Sequence, residues 1–334
     1  MSSRFRGGIP MSVVLALALV CGLWMPASSA RTHLVRVRYV MSHRSVLLGS
    51  LPSYVAQDKG FFKKNGVDVH FLSGGGGGTT LRLLSTGNVD FAEGGLSAAI
   101  LAAKTDPNIE LVGDKYYSAN VIVWIAPSDT KVHSVQDLKG AKLGYSRPGS
   151  ATQRLLQLTM RRAGIKDVKF VSVGGMGDNW AAAKGGVITA GWAMEPFLSE
   201  KIQHDGAKIV LRPADYVKHF YFEGIDVNKN FATKHPAAVR GVFNALAESV
   251  EFIRKHPDAA TDIAATYLKA PKSVLKSGIE RYLKDGAWNM KTDPKAFDTV
   301  IQGMVESGQL DHPVDIGKLL NQSYLPARFR THIK

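Results

Sequence analysis

Cysteine is almost missing from this chain of 334 residues: the single one, Cys21, lies within the first thirty. If those thirty are removed no thiol remains, which excludes both a disulfide framework and a cysteine nucleophile. The ten histidines never stand three or four positions apart, so the sequence has no helical metal pair and no H-E-x-x-H. A G-x-S-x-G elbow is also lacking: Gly144-Tyr145-Ser146-Arg147-Pro148 has the serine without the closing glycine. The formal charge is +14, yet lysines and arginines are spread along the chain with no polybasic run, so a nucleic-acid role is not expected. These gaps leave no catalytic residue, metal or cofactor to assign. The expectation is a protein that is not an enzyme.

The first thirty residues have their own logic. Arg4 and Arg6 give a basic start, and Met11 to Met25 is a nearly uncharged apolar run. That run is short for a membrane span, which needs roughly 20 residues. Pro26 and Ala27-Ser28-Ser29-Ala30 then supply a turn and small residues suited to cleavage after Ala30. Residues 1–30 therefore read as a cleaved export signal, and its loss takes the formal charge from +14 to +12. Lipid anchoring at Cys21 is not expected, because Val20 precedes it where a small residue is usual and the apolar run continues past it.

Beyond Ala30, short strand patterns alternate with helical ones. Leu34–Val40, Val67–Leu72 and Val89–Ala92 read as strands. Pro52–Phe62, Thr79–Thr86 and Leu96–Lys104 read as helices, the first starting at its proline. The alternation restarts with strands at Lys142–Tyr145, Val168–Val173 and Val187–Trp192, separated by helices Ser150–Ala163 and Asn179–Lys184. Phe220–Val227 is a last strand before a mainly helical tail. Alternation of this kind predicts an α/β fold with mostly parallel sheets covered on both faces. Two such units joined by more than one chain crossing would enclose a cleft able to close by hinge motion. We place the units at 31–118 with 218–334 (lobe 1) and at 119–217 (lobe 2).

The candidate site lies where strands end and helices begin. Ser73-Gly74-Gly75-Gly76-Gly77-Gly78-Thr79-Thr80 follows a strand directly. It is not a P-loop, having no lysine, nor a dinucleotide turn, since Thr79 stands five positions after Gly74 where a glycine is needed. Two readings remain: a flexible loop, or a ligand-contacting turn in which Gly75, Gly76 and Gly77 let the backbone approach while Thr79 and Thr80 cap a helix. A helix start with free N–H groups suits an anion. Ser146-Arg147-Pro148-Gly149-Ser150-Ala151-Thr152 repeats the logic, with Ser150 or Thr152 as cap and Arg147 as a planar cation for sulfonate, phosphate or carboxylate. Facing turns of this type would share one cleft beyond the carboxyl ends of the strands. Trp192 and Glu195 follow another strand, where the ring could wall a ligand and the carboxylate accept from it or hold the hinge. Ser45, Tyr54, Ser97 and Tyr117 sit near further strand ends.

Several of these segments carry a family likeness. Ala56-Gln57-Asp58-Lys59-Gly60-Phe61-Phe62-Lys63-Lys64-Asn65-Gly66-Val67-Asp68-Val69 resembles a segment of ABC-transporter periplasmic substrate-binding proteins. The branch is that of nitrate, sulfonate and taurine binders, which also holds binders of thiamine-precursor pyrimidines. Gly87–Ala92, Asp137-Leu138-Lys139-Gly140 and Met194-Glu195-Pro196-Phe197 resemble further segments of it, in the right order. The resemblance runs from about Leu34 to Pro326. It implies a type II periplasmic-binding-protein-like fold, with two α/β lobes around a hinged cleft. It also implies a periplasmic monomer that binds a small-molecule ligand and delivers it to an ABC permease in the inner membrane. With Arg147 and the two turns, a small organic anion of the sulfonate, taurine or nitrate kind is the leading expectation. A neutral heterocycle such as a thiamine-precursor pyrimidine, or a sensor or enzyme on the same fold, is the alternative. Two departures stand out: Thr189 occupies a position where the second lobe often has aspartate, and the five-glycine run is unusually long and uniform.

Overall fold

The structure is a computed structural model that describes residues 33–74, 77–116 and 119–332. The expected export signal with Cys21, and Gly75, Gly76 and Tyr117, lie outside the described residues.

The first strand, β1 (Val35–Met41), is followed by helices α1 (Leu47–Asp58) and α2 (Phe61–Lys64), then by β2 (Val67–Ser73) and α3 (Gly77–Ser85). Strand β3 (Phe91–Gly94), helix α4 (Leu96–Thr105) and strand β4 (Ile109–Tyr116) complete the first passage. The chain then builds β5 (Val123–Ala126), β6 (Lys142–Tyr145), α5 (Ala151–Arg162), β7 (Lys169–Ser172), α6 (Met176–Lys184), β8 (Gly191–Ala193), α7 (Phe197–Asp205) and β9 (Lys208–Leu211). Strand β10 (Glu223–Asn228) returns to the first sheet, and α8 (Lys229–Lys234), α9 (Pro236–Lys255), α10 (Pro257–Leu268), α11 (Lys272–Lys284) and α12 (Pro294–Glu306) follow.

The sheets are mixed, not mostly parallel as the alternation suggested. In the order β2-β1-β3-β10-β4, β1 pairs in parallel with β2 and β3, whereas β10 is antiparallel to both its neighbours. The reversal follows from the route of the chain: β10 arrives after the long excursion and enters from the opposite end. Strand β5 lies antiparallel between β8 and β9, while β6 and β7 form a parallel pair bridged to Ala190 through Leu143.

Two element boundaries differ from the sequence expectation for reasons of burial. Helix α1 begins at Leu47 and carries Pro52 inside it. Leu47 and Leu51 are fully buried, and removing them from water outweighs the hydrogen bond that proline cannot donate. Strand β8 is only three residues long, and Val187, expected as its start, is 60% exposed. The glycine run begins as packing: Gly74 donates to the Met41 carbonyl at 2.9 Å, and a Cβ there would collide with Thr80 Cγ2 and meet Val40 Cγ2. Glycine is required at this point because strand end and helix start nearly touch.

Candidate functional site

A cavity of about 620 Å³ opens where these strand ends and helix starts converge. From the first sheet come Ser42, His43 and Ser45, after β1, and Gly95 and Ser97 at the start of α4. Helix α3 adds Thr79 and Arg82, while Phe222 and Glu223 approach at the head of β10. The excursion supplies the turn Ser146–Thr152, the turn Gly174–Met176, and Trp192 and Met194.

The turn before α5 is held by its own hydroxyls. Thr152, only 5% exposed, accepts at Oγ1 from the Ser146 amide at 3.1 Å. The same atom contacts Ser146 Oγ and Ser150 Oγ, each at 2.8 Å. Ser150 caps the helix by accepting from the Gln153 amide at 3.3 Å. Three hydroxyl groups thus share two O···O contacts, which consume two of their three protons and leave one to donate elsewhere. The turn closes through Ser150 N–H to the Arg147 carbonyl, 3.1 Å, with Gly149 at φ +78°, a conformation that favours glycine. Arg147 is exposed, and among the described residues no carboxylate pairs with it or with Arg82. Helix start, spare hydroxyl proton and two cations all favour an oxyanion.

The next wall is apolar by construction. The Trp192 indole N–H donates to the Gly174 carbonyl at 3.1 Å, and Asn179 Nδ2 donates to the same oxygen at 3.0 Å. The Met194 amide meets Met176 Sδ at 3.3 Å. The polar edges of this wall, Met176 Sδ among them, are therefore occupied within the protein, and apolar side-chain surface remains to meet a ligand. Gly174 and Gly175 repeat the strand–glycine–helix logic of residues 72–79, a signal that could have been read from Val173-Gly174-Gly175-Met176.

Charge on the opposite side is set deeper down. Burial pushes the Tyr39 hydroxyl well above its usual range, with the neighbouring Glu93 carboxylate adding to it. Glu93 accepts from Tyr39 at 3.0 Å and from the Ser42 amide at 3.1 Å, which fixes the backbone where β1 opens into the cavity. His43 borders the cavity, and desolvation, aided by the Arg147 cation, holds it below the ordinary histidine value despite the opposing pull of Glu93. It is therefore neutral near pH 7 and offers one donor and one acceptor.

Of the residues expected from sequence, Ser45, Thr79, Ser97, Arg147, Ser150, Thr152 and Trp192 lie on the cavity wall. Gly77 sits in the first turn of α3. Tyr54 is elsewhere: it is buried, stacks on Tyr267 at 4.4 Å between centroids, and donates to the Arg44 carbonyl at 2.9 Å. Glu195 is also elsewhere, fully buried and paired with Arg281 behind the cavity. Thr80 does not cap α3, which starts at Gly77; its hydroxyl donates to the Glu93 carbonyl. Ser42, His43, Arg82, Glu223 and the Gly174–Met176 turn were not singled out in the sequence. Ser42 and His43 directly follow the end of β1, a junction of the same kind as the others, whereas Arg82 on α3 and Glu223 on β10 are brought to the cavity by tertiary packing.

Strand order and a cavity framed by helix starts define the class: this is a type II periplasmic-binding-protein-like fold. The periplasmic aliphatic sulphonate binding protein SsuA of Escherichia coli matches with a TM-score of 0.72 at 20% identity, over 90% of this chain and 96% of that one. Residues 49–260 match the family described as NMT1/THI5 like, and the chain belongs to that family. A protein of Brucella abortus named as a binding protein is 26% identical over 313 residues, 91% of this chain and 92% of its own. The desulfurization enzyme DSZB, solved with biphenyl-2-sulfinic acid, has a TM-score of 0.63 at 17% identity, covering 86% of this chain and 97% of that one. No described helix is long and apolar enough to cross a membrane.

Proposed function

We propose that this protein is the extracytoplasmic solute-binding component of an ABC importer, capturing a small organic anion of the sulfonate kind for delivery to a membrane permease. The observation that carries the reading is the turn Ser146–Thr152, where Arg147, a spare hydroxyl proton and the start of α5 converge on one cavity. Relatives named for binding, and a sulphonate binder among the solved neighbours, support it. In this reading residues 1–30 direct export and are removed, and lobes 31–118 with 218–334 and 119–217 close on the ligand, shifting an open–closed equilibrium.

A binder also accounts for the site better than an enzyme. In the α5 turn each hydroxyl is bonded to another hydroxyl, not to a base that would activate it. The fold does host catalysis in DSZB, so turnover is the outcome to look for.

Calorimetry with methanesulfonate, taurine, nitrate and acetate tests the reading. Binding of at least one anion is expected, weakened by about 1.5–3 kcal/mol in Arg147→Ala, the range for a hydrogen bond to a charged group. Binding of a neutral pyrimidine with no anion bound would overturn the anion assignment.

A further inference from the structure

We infer that the ligand is a planar aromatic anion: a ring carrying one sulfonate or carboxylate, with the acid at the α5 turn and the ring on the Trp192 wall. The inference rests on the reading of this cavity as an anion site and narrows the ligand within it.

Size is the first ground. About 620 Å³ corresponds to roughly twenty water molecules at about 30 Å³ each, within the range of pockets that hold drug-sized ligands. An ion of the size of nitrate would leave most of that volume to water. Five positions on the wall, Gly49, Gly95, Gly149, Gly174 and Gly175, carry no side chain and leave that volume open.

The second ground is the division of chemistry along the wall. At the α5 turn the groups are donors and a cation. Beyond it, Trp192, Met176 and Met194 line the cavity with an aromatic ring and two thioether side chains, Trp192 at 7% exposure. Their polar atoms are already spoken for: the indole N–H by Gly174 and the Met194 amide by Met176. A wall with satisfied donors gains nothing from a second polar group on the ligand. It gains from burying a flat apolar surface, through ring stacking and sulfur–aromatic contact. A bare alkyl anion would fill the polar end and leave that wall wet.

The test compares two ligands with the same head. Titration calorimetry of the full chain should give benzenesulfonate at least tenfold tighter binding than methanesulfonate. Trp192→Leu, which keeps an apolar side chain at a nearly buried position, should narrow that ratio to about threefold or less. Equal affinities for the two sulfonates in the unaltered protein, or a ratio that Trp192→Leu leaves intact, would overturn the aromatic inference while the anion site stands. Binding of neither sulfonate, nor of benzoate, would overturn the anion reading and this inference together.

Discussion

Arg281 donates through Nε to Oε1 of Glu195 at 2.8 Å, joining α11 to the segment that follows β8. The same glutamate accepts from the Ser199 amide at Oε2, 3.0 Å, and its own amide donates to the Tyr282 hydroxyl at 3.1 Å. Its carbonyl accepts from Leu47 at the head of α1. Helices from distant parts of the chain therefore meet on one residue that is fully buried. Burial raises the Glu195 carboxyl above its ordinary value, although Ser199 and Arg281 both pull it down.

Removing one partner of such a pair leaves a charge without compensation. Arg281→Ala should cost about 3 kcal/mol near pH 7, the low end for breaking a buried pair. The raised carboxyl takes up a proton as pH falls, so the loss should shrink at acidic pH. Denaturant midpoints at pH 7 and pH 5 check both statements; equal losses at the two values would show that the pair is not what holds the segment.

Asp226 is a second buried carboxyl, on β10, and its Oδ2 has no hydrogen-bond partner. Burial, with the Glu223 carboxylate, raises it well above its ordinary value. Because the folded value lies above the unfolded one, the neutral acid's contribution is complete below the usual aspartate range. It is lost as pH rises through the folded value. Asp226→Asn should therefore stabilise the protein at neutral and alkaline pH and flatten the decline of Tm with rising pH. A lower Tm for the variant at pH 8 would contradict this.

Gly74→Ala should be destabilising by roughly 1–3 kcal/mol, the range for overpacking a tight core. The added methyl would strike Thr80 Cγ2 and crowd Val40 and Met41. Gly74→Ala with Thr80→Ser, which removes that methyl, should recover part of the loss in chemical denaturation.

Thr152→Val keeps the shape of the side chain and removes the hydroxyl that the Ser146 amide donates to. Leaving that partly buried donor without its acceptor costs up to about 1–3 kcal/mol. Anion affinity, measured by calorimetry, should fall as well, because the turn loses the atom that orients both serines.

His43 gives the site a pH dependence. Its value lies below the ordinary one, with Arg147 and Glu93 as the charges acting on it. Protonation as pH falls below the ordinary histidine range adds a positive charge to the cavity wall, so anion affinity should rise there. His43→Gln should remove that part of the rise.

The turn before α5 that makes the polar end of the cavity was legible in the sequence, because it is local. A strand end, a glycine or serine and a helix start lie within eight residues, and the requirements of helix termini act over that distance. Trp192 was visible for the same reason. Tyr54 and Glu195 carried equally suggestive side chains but were placed by partners far along the chain, Tyr267 and Arg281. Their roles depended on which face of the fold those partners occupied.

By itself the sequence determined where strands give way to helices, and that hydroxyls, a cation and an aromatic ring stand at those junctions. Only tertiary structure decided which junctions meet. Strand β10 enters antiparallel between β3 and β4 and brings Phe222 and Glu223 to the same cavity as Gly95 and Ser97, and packing between separate sheets sets His43, after β1, near Arg147, after β6. Local pattern encodes hydrogen-bonding and burial needs within a few residues, whereas the cavity depends on contacts between segments a hundred residues apart, which no local pattern specifies.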